Sequence, residues 1–177
     1  MFSYLMVDGD GDSENAPSHR DAVAALLAAS DAARALSAAE LGRDYVVGPL
    51  EGLWYAEHLV PFTKVPKSEW LWTMMICQPD WLPRELVDEA IAQVAHRSPA
   101  AGALRQARLF EGRSVQILHI GPYDAEGPTI RRMHARYLPQ HGLVGNGRHH
   151  EIYLSSPRTT PQENLRTVLR QPVRPAD

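Results

Sequence analysis

A chain of 177 residues with 44% hydrophobic content and a single cysteine can bury a core without covalent staples, as one globular domain or as two small halves sharing a core. The lone thiol, Cys77, has no Cys or His at metal spacing, which excludes a disulfide framework and points to a reduced, cytoplasmic setting. A formal net charge of −3 gives no broad electrostatic reason to grip a phosphate backbone, so no nucleic-acid partner is expected. No run approaches the ~18–20 apolar residues of a bilayer span, so no membrane partner is expected either.

In chain order, Met1–Val7 reads as a first strand. Asp8-Gly-Asp-Gly-Asp12 resembles a calcium loop only superficially, because it leaves a strand and lacks the closing bidentate Glu; a Gly/Asp turn is the simpler account. From Pro17 an Ala-rich segment with Val23, Leu26, Leu27, Ala33 and Leu41 keeps helical spacing up to a stop at Gly42. Tyr45–Glu57, broken by Gly48, Pro49 and Gly52, reads as an irregular or edge strand, and His58–Lys67 as a loop. Trp70–Cys77 alternates strongly, with Trp70, Trp72, Met74 and Ile76 on one face and apolar residues on most of the other. Such a strand is central and covered on both sides, or lines an apolar cavity.

Leu86–Val94 has the period of a helix, here placed at about 83–97. Leu104–Phe110 and Arg113–Ile120 read as a hairpin across Glu111-Gly112. Gly127–Leu138 is a third helix with Pro128 in its first turn. A capping-box turn at Thr160–Glu163 precedes a last extended piece, Val168–Val173. Each half thus contains strand, helix, strand, strand: about 1–77 and about 113–173, joined by the helix at 83–97 and the strand at 104–110.

One carboxylate stands out. In His149–Leu154, strand alternation puts His149, Glu151 and Tyr153 on one face and His150, Ile152 and Leu154 on the other. The aliphatic pair is expected to pack inward against helices, leaving Glu151 and Tyr153 to face the opposite side of the sheet. If that side is open, Glu151 is an ordinary surface charge; if it is enclosed, Glu151 is a buried acceptor or general base. Trp54, Tyr55, Trp70 and Trp72 cluster on neighbouring strands, in a chain with only 7% aromatics. Core packing is the plain reading of each. Together with a carboxylate they suit a π-faced slot for a planar aromatic or cationic ligand. Alternation does not decide whether Trp54 or Tyr55 faces that slot.

His149 and His150 point to opposite faces, and no His-x-x-x-His pair accompanies them or His119 and His134, so no metal is expected. His119 reads as a hydrogen-bonded strand histidine and a secondary groove candidate. Ser155-Ser156 has no nucleophile elbow.

The run Arg148-His-His-Glu-Ile-Tyr-Leu-Ser-Ser-Pro-Arg158, with His119-Ile-Gly-Pro-Tyr123, Leu169-Arg-Gln-Pro-Val173, Leu50-Glu-Gly-Leu-Trp-Tyr-Ala56 and Trp70–Asp80, resembles the GyrI-like small-molecule-binding family over nearly the whole chain. It is also similar to a subgroup described as cyclopropanoid cyclopropyl hydrolases. The resemblance implies one α+β domain over 1–177, in which two β-α-β-β modules share a curved antiparallel sheet, with helices on the convex side and a ligand groove on the concave side. It implies hydrolytic opening of the cyclopropane of yatakemycin-like, cyclopropapyrroloindole-type DNA alkylators in an aromatic cage, giving toxin resistance without a cofactor.

For that chemistry Glu151 would orient or deprotonate water, and Tyr123 or Tyr153 would hydrogen-bond the developing phenolate. Trp54, Trp70, Trp72, Met74, His119 and Tyr153 would hold the drug. The other reading is a non-catalytic protein that sequesters or senses hydrophobic or cationic drugs; under either reading a monomer or homodimer is expected. A gyrase inhibitor ranks last, since no acidic DNA-mimicking surface is visible.

Overall fold

The computed structural model describes residues 1–13, 16–57 and 64–176, in two compact units, Met1–Phe110 and Glu111–Asp177. Both are α+β, and within each unit every described strand pairing is antiparallel.

The first unit contains β1 (Phe2–Asp10), α1 (Pro17–Leu41), β2 (Leu50–Tyr55), β3 (Leu71–Gln78), α2 (Arg84–Ala95) and β4 (Arg105–Leu109). Its sheet runs β4-β1-β3-β2. Both faces of β3 are buried from Trp72 to Ile76, as expected of a central strand. One face carries Tyr4, Met6, Leu53 and Met75 as an apolar cluster. The other carries Leu5, Val7, Met74 and Ile76 and is covered by α1, whose Ser30 hydroxyl accepts a 3.1 Å hydrogen bond from Gln78 Nε2.

α1 begins with Pro17 in its first turn and stops at Gly42, whose φ of 64° is cheap only for glycine. Its buried stripe, Ala22, Ala25, Leu26, Ala29, Ser30, Ala33 and Ser37, is small enough to bring the helix axis close to the sheet. By length and composition this 25-residue helix is apolar enough to cross a membrane, which corrects the expectation that no segment is. Its alanines supply the hydropathy, and here the stripe packs against β1 and β3.

Two further expectations change. β1 runs on to Asp10, so the acidic stretch begins in strand rather than turn; Asp8 accepts a 2.6 Å bond from the Thr73 hydroxyl and pairs with Arg105. The hairpin across Glu111-Gly112 does not form: β4 pairs with β1, and the following strand pairs within the second unit. α2 and β4, expected as a joint between halves, therefore belong to the first unit. The loop expected from His58 lies outside the described residues as far as position 63.

The second unit contains β5 (Ser114–Ile120), α3 (Gly127–Arg132), β6 (Leu143–Gly145), β7 (His149–Tyr153) and β8 (Arg166–Pro175). α3 continues through a π-helical turn, Met133–Tyr137, into a last turn, Leu138–Gln140. The strand order is β7-β8-β5, with β6 pairing the end of β8. The first unit opens with strand, helix, strand, strand before α2 and β4, and the second runs strand, helix, strand, strand with the short β6 interposed.

The covered face of this second sheet is the reverse of expectation. Leu138 and Leu143 pack with Val115 and Val173, which share a face with Leu169, Thr167, Glu151 and Tyr153 in the register of β5, β7 and β8. The helix therefore lies over the Glu151 face. Leu154, Leu118 and Ile120, expected or able to pack inward, are 48%, 41% and 61% exposed. On that outer face His150 is fully buried by its partners: its Nδ1 meets Glu111 Oε1 at 2.9 Å, and Arg170 donates to Glu111 Oε2 at 3.1 Å. Burial pulls the Glu111 carboxyl upward, but its interactions with His150 and Arg170 outweigh that and hold it below its ordinary value.

Gly9 pairs with Trp72 across β1 and β3, and a Cβ on Gly9 would fall inside the Trp72 ring. Gly9→Ala is expected to cost about 1–3 kcal/mol by forcing the indole out of place. Urea unfolding followed by tryptophan fluorescence measures it.

Candidate functional site

In the first unit, Trp54 and Trp72 are register partners and project from the α1-covered face; Tyr55 leaves by the other face. His19 of α1 meets Trp72 edge-on at 4.9 Å between centroids and lies 6.4 Å from Trp54, while Trp70 stands edge-on to Trp54 at 5.7 Å. The three tryptophans are thus brought together, with His19 as an aromatic neighbour the sequence analysis did not single out. Trp72 and Met74 are buried in the packing of sheet against helix, and Trp70 keeps part of its ring open. Burial holds His19 below the usual imidazole range and so neutral at pH 7.

In the second unit, β7 presents Glu151 and Tyr153 two residues apart on the helix-covered face. The Tyr153 hydroxyl donates to Glu151 Oε2 at 2.8 Å, and His149 Nε2 lies 3.4 Å from Oε1. Glu151 is 8% exposed, so the surface-charge reading does not apply. Tyr123, in the turn after β5, meets Tyr153 edge-on at 5.5 Å. Burial, then the charges of Glu126 and Glu151, push its hydroxyl above the ordinary 10. His119 donates from Nε2 to the Pro122 carbonyl at 3.2 Å, which orients its ring and braces the turn that carries Tyr123. His149 and His150 do point to opposite faces, one to Glu151 and the other to Glu111.

A second carboxyl was missed. Glu126, immediately before α3, is 4% exposed, and its Oε1 has no hydrogen-bond partner. Thr167 Oγ1 of β8 lies beside it without closing a well-formed bond. Burial, and then the charge of Glu151, push the Glu126 carboxyl up to about 8. Two carboxyls in a poorly solvated space resist holding two negative charges, so one keeps its proton at neutral pH. The only trace in the sequence is an acidic residue in the Tyr-Asp-Ala-Glu-Gly-Pro turn following the Gly-Pro-Tyr motif. Its proximity to Glu151 arises from tertiary packing of the turn before α3 and not from any local pattern.

Fold and site together define an α+β protein with two buried, mutually interacting carboxyls. A family profile described as the GyrI-like small molecule binding domain matches residues 4–174, and the chain belongs to that family. No curated protein matches it. Among solved structures it is similar to an uncharacterized conserved protein from Listeria innocua, at 32% identity and TM-score 0.85 over 98% of this chain and 88% of that one. A hydrolase from Listeria innocua is 31% identical, with TM-score 0.81 over 98% and 87% of the two chains. The EcmrR C-terminal domain, at 9% identity and TM-score 0.59 over 99% and 92%, shares the fold alone.

A carboxyl whose folded value is raised binds its proton more tightly in the folded state. Stability from Glu126 is then fully present below its ordinary 4.5 and is lost as pH rises toward about 8. The expected slope in that window is up to about 1.4 kcal/mol per pH unit, and Glu126→Gln should flatten it. Denaturant titrations at a series of pH values measure both.

Proposed function

We propose that this protein is a hydrolase that opens the strained cyclopropane of cyclopropapyrroloindole-type alkylators by adding water, and so protects its cell from them. The observation that carries the reading is Glu151, buried on the helix-covered face with Tyr153 donating to one oxygen and His149 beside the other. A buried carboxylate held by a phenol is oriented and poorly solvated, and is suited to take a proton from water. Similarity to a hydrolase from Listeria innocua, 31% identical over 98% of this chain, supports hydrolytic chemistry.

The substrate suits such a site. Attack of water on the exposed cyclopropane carbon releases ring strain and restores an aromatic phenol, so the protein needs only to hold the drug, place the water and manage two protons. Within the second unit Tyr153, edge-on to Tyr123 at 5.5 Å, is the proposed aromatic contact with the drug. Tyr123 is the proposed hydrogen-bond donor to the phenolate oxygen.

Purified, metal-free protein incubated with excess drug should release the water adduct over many turnovers, read by mass spectrometry. Glu151→Gln is expected to lower turnover by about 10²-fold or more, and Tyr153→Phe by less, since it loosens the carboxylate without removing it. Unchanged drug co-eluting with the protein would replace the hydrolase by a sequestering protein.

A further inference from the structure

We propose, resting on the hydrolytic reading above, that Glu126 is a second catalytic residue, which gives its proton to the dienone oxygen of the drug as Glu151 takes one from the attacking water. Three observations converge. Glu126 is almost wholly buried, one of its carboxyl oxygens has no protein partner, and it sits close enough to Glu151 and Tyr123 for their charges to act on one another. A buried polar atom left unpaired is costly in a native fold. A ligand oxygen meeting it in the bound state offsets that cost.

The step balances. The water oxygen bonds to the cyclopropane methylene, the carbon–carbon bond of the three-membered ring breaks, and its electron pair passes into the dienone to form the aromatic ring. The former carbonyl oxygen takes the proton of Glu126, and Glu151 takes the proton lost by water. The net change is addition of one water. The two carboxyls have then exchanged protonation states, and a single proton passed between them restores the site.

Tyr123 is the weaker candidate for this proton. Burial, then the charges of Glu126 and Glu151, push its hydroxyl above the ordinary 10, whereas Glu126 is held at about 8, so Glu126 is the stronger acid. A product phenol near the usual value of about 10 is also the weaker acid, so transfer from Glu126 is downhill. Tyr123 is left to steady the oxygen through a hydrogen bond. The titratable groups facing Glu126 are Glu151 from β7 and Tyr123 from the turn before α3, with the neutral Thr167 from β8.

The test is the pH dependence of kcat, with excess drug, for the full-length wild type and for Glu126→Gln. The wild type should lose turnover as pH rises through about 8. Glu126→Gln should bind the drug normally, by quenching of tryptophan fluorescence, yet turn over about 10–100-fold more slowly with no such limb. A wild-type profile flat between about pH 6 and 10 overturns the proposal without needing the variant. So does a Glu126→Gln protein that keeps both the wild-type rate and the alkaline limb. In both of those cases the hydrolase stands and only the proton donor is reassigned. Absence of turnover by the wild type at every pH overturns the hydrolytic reading and this role with it.

Discussion

The central constraint in the second unit is electrostatic: two carboxyls, Glu126 and Glu151, are both buried and within range of each other's charge. Taking a single carboxylate out of water is expensive, and taking two adjacent ones out is more so. The arrangement is eased because Tyr153 donates to one oxygen of Glu151, with His149 Nε2 3.4 Å from the other, and because burial and the charge of Glu151 push the Glu126 carboxyl up to about 8. Stability is forgone at neutral pH to keep Glu126 buried within reach of that charge, which occurs more often at functional sites than in packing cores.

The first unit is governed by close approach instead. A glycine in β1 lets the Trp72 indole lie flat over the strand, and an alanine-lined helix closes over the same face with His19 against the ring. Bulkier residues at Gly9 or along the α1 stripe would lift the helix and loosen the indole. Trp54 and Trp70 are then fixed by edge-on contacts to one another. The result is an aromatic set held by mutual packing, with little rotamer freedom left to its rings.

Much of the fold was legible because its signals are local. Pro17 and Gly42 bracket α1 to within a residue; the alternation of Trp70–Cys77 marks β3; the period of Leu86–Val94 marks α2. The failures share a cause. The Glu111-Gly112 hairpin was inferred from a short turn between two strands, but β1 and β8 offered those strands longer partners. The three-residue β6 lies below the length at which alternation carries any signal.

By itself the sequence determined the order of strands and helices, the pairing of Glu151 with Tyr153 on one side of β7, and the separation of His149 from His150, because a strand's period of two is a property of the backbone. It did not determine which side of β7 would be covered. That choice belongs to α3 and the turns after it, whose Leu138 packs with Val115 and Val173, so that Glu151 is buried while Leu154 faces out. Tertiary structure likewise decided that Trp54 rather than Tyr55 joins Trp72, and it alone brought Glu126 to Glu151. Burial and charge–charge proximity arise between residues distant along the chain, and no local pattern encodes them.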